Sequence, residues 1–144
     1  MTSLNDIFTG PRWQRLFADV ETYVRSTIQN QSGLTGMAIK GGLKTAEKVK
    51  PNAVELGLNH FLPDALKVLS PYWDNRPAGV PFGEHLENNK VEVAEQLMSA
   101  ADNMAQKVNY PALNKVYGTV RGKAGKVMAD NLRGLGEIIE RDAG

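Results

Sequence analysis

Apolar residues recur every three or four positions through almost the whole chain, and seven prolines cut that recurrence into pieces. Spacing of this kind gathers side chains on one face of an α-helix. A half-buried strand would need strict alternation, and no convincing alternation occurs. Proline lacks an N–H and is favoured in the first turn of a helix rather than inside one. The pattern predicts an all-α fold, a single-domain bundle of about six or seven helices divided largely at the prolines.

The clearest segment is 11–29. Trp13, Leu16, Phe17, Val20, Tyr23, Val24, Thr27 and Ile28 fall in one arc at 100° per residue, with Arg15, Asp19, Thr22, Arg25 and Ser26 opposite. A short helix over 3–8 precedes it, with Ser3 placed as N-cap. A helix over about 35–49 would bury Leu34, Met37, Ala38, Leu43 and Ala46, although Gly41 and Gly42 each weaken it by about 1 kcal/mol against alanine. Pro51 is expected to open a helix ending at Leu62, and Pro63 a separate short one, because the residue before a proline avoids helical angles. Pro77, Gly79, Pro81 and Gly83 make 74–83 an irregular connection. One long helix is expected over 84–108, roughly 35 Å at 1.5 Å per residue. Pro111 starts the last helical region, which runs to about 141 as one helix or two. Gly118, Gly122 and Gly125 place a break near residue 122. Asn131 would fall inside the apolar arc of a continuous helix, which also argues for a break.

A chain of 144 residues buries roughly 70% of its unfolded surface and needs no covalent staple. It has no cysteine, which removes disulfides, thiolate metal sites and cysteine nucleophiles. With 42% hydrophobic and 23% charged residues it is not of the disordered class. The first residues show neither a basic nor an apolar leader region. The uncharged stretch 26–39 contains Gln29, Asn30, Gln31 and Ser32 and cannot span a bilayer. A cytoplasmic protein is the expectation.

Catalytic chemistry finds no foothold. His60 and His85 lack partners at metal-ligand spacing, and no serine lies in a G-x-S-x-G turn. Gly122-Lys123-Ala124-Gly125-Lys126 lacks the spacing and the preceding strand of a phosphate loop. No catalytic residue, metal ligand or cofactor is therefore assigned.

The charge pattern is more informative. Net charge is only +1, with 17 basic and 16 acidic residues, so no overall field draws a polyanion. Locally, however, Lys40, Lys44 and Lys48 recur every four residues. Lys107, Lys115, Arg121, Lys123 and Lys126 follow one another with no acidic residue between them. On a continuous last helix, Lys115, Gly118, Gly122, Gly125, Lys126, Ala129, Arg133 and Gly136 would share one stripe, open to a partner helix or an anion. These are either solvated faces or a basic contact surface, and sequence leaves both open.

Ser32-Gly33-Leu34-Thr35-Gly36, Lys48-Val49-Lys50-Pro51, Leu62-Pro63-Asp64 and Pro71-Tyr72-Trp73 together resemble a family of short actinobacterial proteins of unknown function. The resemblance covers nearly the whole chain. It implies helical, single-domain, non-secreted proteins and carries no functional residues.

Three functional expectations follow. The first is a non-enzymatic interaction or structural protein acting through helix faces, with a second copy of itself or another protein as partner. The second is an anion-binding module using Lys40, Lys44, Lys48, Lys115, Lys123 and Lys126 on nucleic acid or a membrane surface. The third is a small-molecule carrier or enzyme with an apolar pocket between helices, to be sought first near His60, Tyr72 and Trp73.

Overall fold

The structure, a computed structural model, describes residues 3–144. It contains α1 (Leu4–Ile7), α2 (Pro11–Gln29), α3 (Gly33–Val49), α4 (Ala53–Asn75), α5 (Phe82–Asn88), α6 (Lys90–Lys107), α7 (Pro111–Asp130) and α8 (Leu132–Ala143). Among the described residues there is no strand. The all-α expectation holds, but these eight helices exceed the six or seven read from the sequence, and several boundaries move.

Ser3 caps α1, its hydroxyl accepting from the Asn5 N–H at 3.1 Å. Gly10, at φ +54°, then reverses the chain into Pro11, the first residue of α2. Only glycine takes that left-handed conformation without strain.

The helix starting at Pro51 and the separate one at Pro63 are in fact one helix, α4, which passes through Pro63 and Pro71. An interior proline removes the bond to the carbonyl four residues back. Here those carbonyls belong to Asn59 and Lys67, both on the exposed side, where water can serve them. Packing from α1 also steadies this stretch. The Ser70 hydroxyl donates to the Leu66 carbonyl at 2.7 Å and accepts from the Leu4 N–H at 3.0 Å. Asn5 Nδ2 donates to the Pro63 carbonyl at 3.0 Å.

The single helix expected over 84–108 is two, α5 and α6, parted at Asn89. The last region is likewise two helices, parted at Asn131 and not near Gly122. Both breaks use the same device. Asn89 (φ −116°, ψ 27°) and Asn131 (φ −125°, ψ 20°) leave the helical region. Each backbone N–H turns to the carbonyl three residues back. Each side-chain amide then takes the carbonyl four back: Asn89 Nδ2 to His85 O at 2.9 Å, and Asn131 Nδ2 to Val127 O at 2.7 Å.

One end of the bundle is solid. Leu4, Leu16, Leu62, Leu66, Leu69, Phe82, Leu86 and Ile139 are buried there, with Trp73 edge-on to Phe82 at 5.0 Å. Glu140 ties the 76–81 connection to this end, accepting from the Phe82 N–H at 3.1 Å and pairing with Arg76 at 3.0 Å. The other end is built from α3, α7 and the adjoining parts of α2, α4 and α6. It is far less filled: α3 buries only Gly36 and Ile39, and α7 only Leu113. Leu34 and Met37, read from the sequence as core, are 79% and 73% exposed. The face of α3 that turns inward carries Gly36, Ile39 and Gly42, and Leu34 and Met37 lie away from it.

Candidate functional site

The thinly filled end holds an apolar cavity of about 400 Å³ that opens to solvent. Its emptiness has a sequence cause. Small residues stand on three of the surrounding walls: Gly42 and Ala46 on α3, Ala53 and Gly57 on α4, Ala101 and Ala105 on α6. The larger apolar wall residues, such as Ile28, Leu43, Val54 and Val120, border this space and are only half-buried.

The lining is almost wholly apolar, and its few polar groups are already engaged. Tyr23 donates its hydroxyl to the Asn131 carbonyl at 2.9 Å. Burial first, and the nearby Glu137 charge less, raises the Tyr23 phenol above its ordinary pKa, while a hydrogen bond with Thr27 opposes them. Tyr117 turns its hydroxyl out to Asp102 Oδ1 at 2.7 Å, and Arg121 grips the same carboxylate through two nitrogens, each at 2.7 Å. The Arg121 bonds, then the Tyr117 bond, hold the Asp102 carboxyl down at about 2. Desolvation and that same Asp102 bond push the Tyr117 phenol up. Asn131 and Asn114 spend amide hydrogens on the Val127 and Val108 carbonyls. A water needs two to four polar partners to settle in a cavity, and this wall offers few.

Size matters here. The space opens to solvent, so its apolar wall stands against water, and covering that wall is worth about 25 cal/mol per Å². The volume also lies within the range of small-molecule pockets, about 300–1,000 Å³.

His60, Tyr72 and Trp73, named from the sequence for such a pocket, do not line it. His85 Nε2 bonds Asn75 Oδ1 at 2.7 Å, and the Tyr72 hydroxyl bonds Glu92 while accepting from Gln96 Nε2 at 3.1 Å. Burial, and then Glu92, push the Tyr72 phenol to about 12. Among the described residues no three His, Asp or Glu side chains are grouped to hold a metal ion. No helix there is long and apolar enough to cross a membrane.

The two lysine-bearing segments are neighbours. α3 packs along α7 so closely that a Cβ on Gly42 would lie 2.7 Å from Val120 Cγ1. Together these helices wall one side of the cavity. They carry Lys40, Lys44, Lys48, Lys115, Arg121, Lys123 and Lys126 against Glu47 and Asp130. Among the described residues none of the six lysines has a carboxylate within ion-pair distance, whereas Arg121 is bound to Asp102 and Glu47 to Arg25. The glycine stripe is dispersed. Gly118 and Gly122 face open space, Gly125 contacts Met98, and Gly136 belongs to α8, against Gly83.

Sequence reading offered an apolar pocket between helices as one expectation but put it near His60, Tyr72 and Trp73, and so missed where it lies. Its signal was present in the small residues interleaved with the apolar arcs, but only the fold brings them to one place. No curated protein and no solved structure matches the chain. Residues 4–143 match a family of unknown function (DUF6918), and the chain belongs to that family.

Proposed function

We propose that the protein binds an apolar small molecule or acyl chain in the cavity between α2, α3, α4, α6 and α7 and acts as a carrier without catalysis. The carrying observation is an apolar space of about 400 Å³ whose polar neighbours Tyr23, Asn114, Tyr117 and Asn131 spend donors on the protein itself. Such a wall rewards shape and apolar area and offers no free acid, base or nucleophile to a bound substrate. Apolar burial at about 25 cal/mol per Å² supplies the driving force.

The test is titration with the neutral fluorescent probe N-phenyl-1-naphthylamine. Saturable binding of one probe per chain, displaced by a long-chain fatty acid, is expected. Absence of saturable binding, together with no apolar compound in an organic extract of the purified protein, contradicts the proposal.

A self-association reading has less behind it. Leu34 and Met37 lie together on α3, but the other large exposed apolar residues, Val49, Val91 and Tyr110, stand apart along the chain.

A further inference from the structure

The outer surface of α3 is organised in a way the cavity does not require. Leu34, Met37, Gly41, Lys44 and Lys48 follow at intervals of three and four, and all are exposed. They therefore form one stripe along the helix. Lys40 stands beside it, half-buried. The stripe has an apolar end, Leu34 and Met37, and a cationic end, and it contains no acidic residue. Glu47, the single carboxylate of α3, faces α2 and pairs with Arg25 at 3.3 Å. Adjoining α7 adds the exposed Lys115, Lys123 and Lys126.

We infer that this face docks the protein on an anionic lipid bilayer surface, Leu34 and Met37 entering the headgroup layer and Lys40, Lys44 and Lys48 lying against lipid phosphates. Charge selects the partner's sign: the chain as a whole is +1, yet α3 and α7 hold seven cations against two carboxylates. The apolar end selects its kind. Two large side chains left in water gain nothing from a nucleic-acid backbone, whereas an interface buries them beside lysines that remain with the headgroups. Docked this way, α3, one wall of the cavity, lies at the bilayer and an apolar ligand exchanges without crossing water. This last step rests on the cavity reading; the docking itself does not.

The experiment is co-sedimentation of the full chain with two kinds of vesicle, phosphatidylcholine alone and phosphatidylcholine with about 30 mol% phosphatidylglycerol. Partitioning at least about tenfold stronger onto the anionic vesicles is expected, falling steeply when salt is raised to about 0.5 M. Leu34→Ser with Met37→Ser, at unchanged charge, should weaken it about tenfold, and Lys44→Glu with Lys48→Glu should abolish it. All four positions are exposed, and circular dichroism of each variant confirms the fold. Equal or absent binding to the two vesicles overturns the docking. So does tighter binding to duplex DNA that the Leu34 and Met37 changes leave untouched. Probe uptake measured without vesicles separates the two proposals: vesicle failure with intact uptake sinks the docking alone, and the reverse sinks the cavity reading alone.

Discussion

Gly136 stands so close to Gly83 that a Cβ on Gly136 would lie 2.5 Å from the Gly83 Cα. A Cβ on Gly83 would in turn overlap the Arg133 carbonyl oxygen. The α5–α8 contact at the solid end therefore brings backbone against backbone, and neither side has a flexible group that can yield.

This contrast makes glycine substitutions informative. Gly136→Ala or Gly83→Ala should cost about 2–3 kcal/mol through overpacking. That corresponds to a melting temperature lower by roughly 4–12 °C for a chain of this size. Gly118→Ala and Gly122→Ala meet nothing within 4 Å. They should stabilise α7 by about 0.5–1 kcal/mol each. Thermal melts of the four variants check both signs.

The hinge between α7 and α8 rests on the Asn131 amide. Asn131→Ala frees the Val127 carbonyl and should cost about 1 kcal/mol in urea denaturation. Tyr23→Phe removes the hydroxyl that donates to the Asn131 carbonyl at 2.9 Å and should cost a similar amount. No change in either variant would show that the break is held by packing alone.

Asp142 gives the protein a pH signature. Its side chain is 3% exposed and its Oδ2 has no hydrogen-bond partner. Burial, then neighbouring Asp19, raises its carboxyl pKa, while Arg141 opposes them. Arg15 Nε lies 3.8 Å away. The fold thus favours the protonated form, and the contribution of Asp142 falls as pH rises from the ordinary aspartate value through the raised one. Asp142→Asn should be more stable than the parent at neutral pH, with the difference closing below about pH 4. Denaturant unfolding across pH 3.5–7.5, in steps of about half a unit, measures it.

Much of the fold is legible from spacing alone, and the failures have physical causes. Helix 11–29 is marked by an uninterrupted apolar arc and a proline at its first position, and α2 has those bounds. Pro63 looks identical in sequence to a helix-starting proline. It sits inside α4, where Asn59, the residue whose carbonyl it frees, is exposed, and exposure is a tertiary property. Asn89 and Asn131 break helices by bonding backward to a carbonyl, a choice asparagine has in any helix and makes only where the partners require it. The lysines are read directly as a pattern, but that α3 and α7 adjoin is not. The cavity is least legible of all. Leu43, Val54 and Val120 are apolar at core spacing, and sequence does not say that the residues facing them will be too small to reach.

The most direct measurement joins binding and stability in one variant, Ala46→Phe with Ala105→Phe, which adds one ring to the cavity lining from α3 and one from α6. If the space is a ligand site, probe binding should fall by at least about tenfold. The ligand-free protein should meanwhile hold its stability or gain about 1–2 kcal/mol from the added apolar contacts. Unchanged probe affinity in a folded variant would contradict the account.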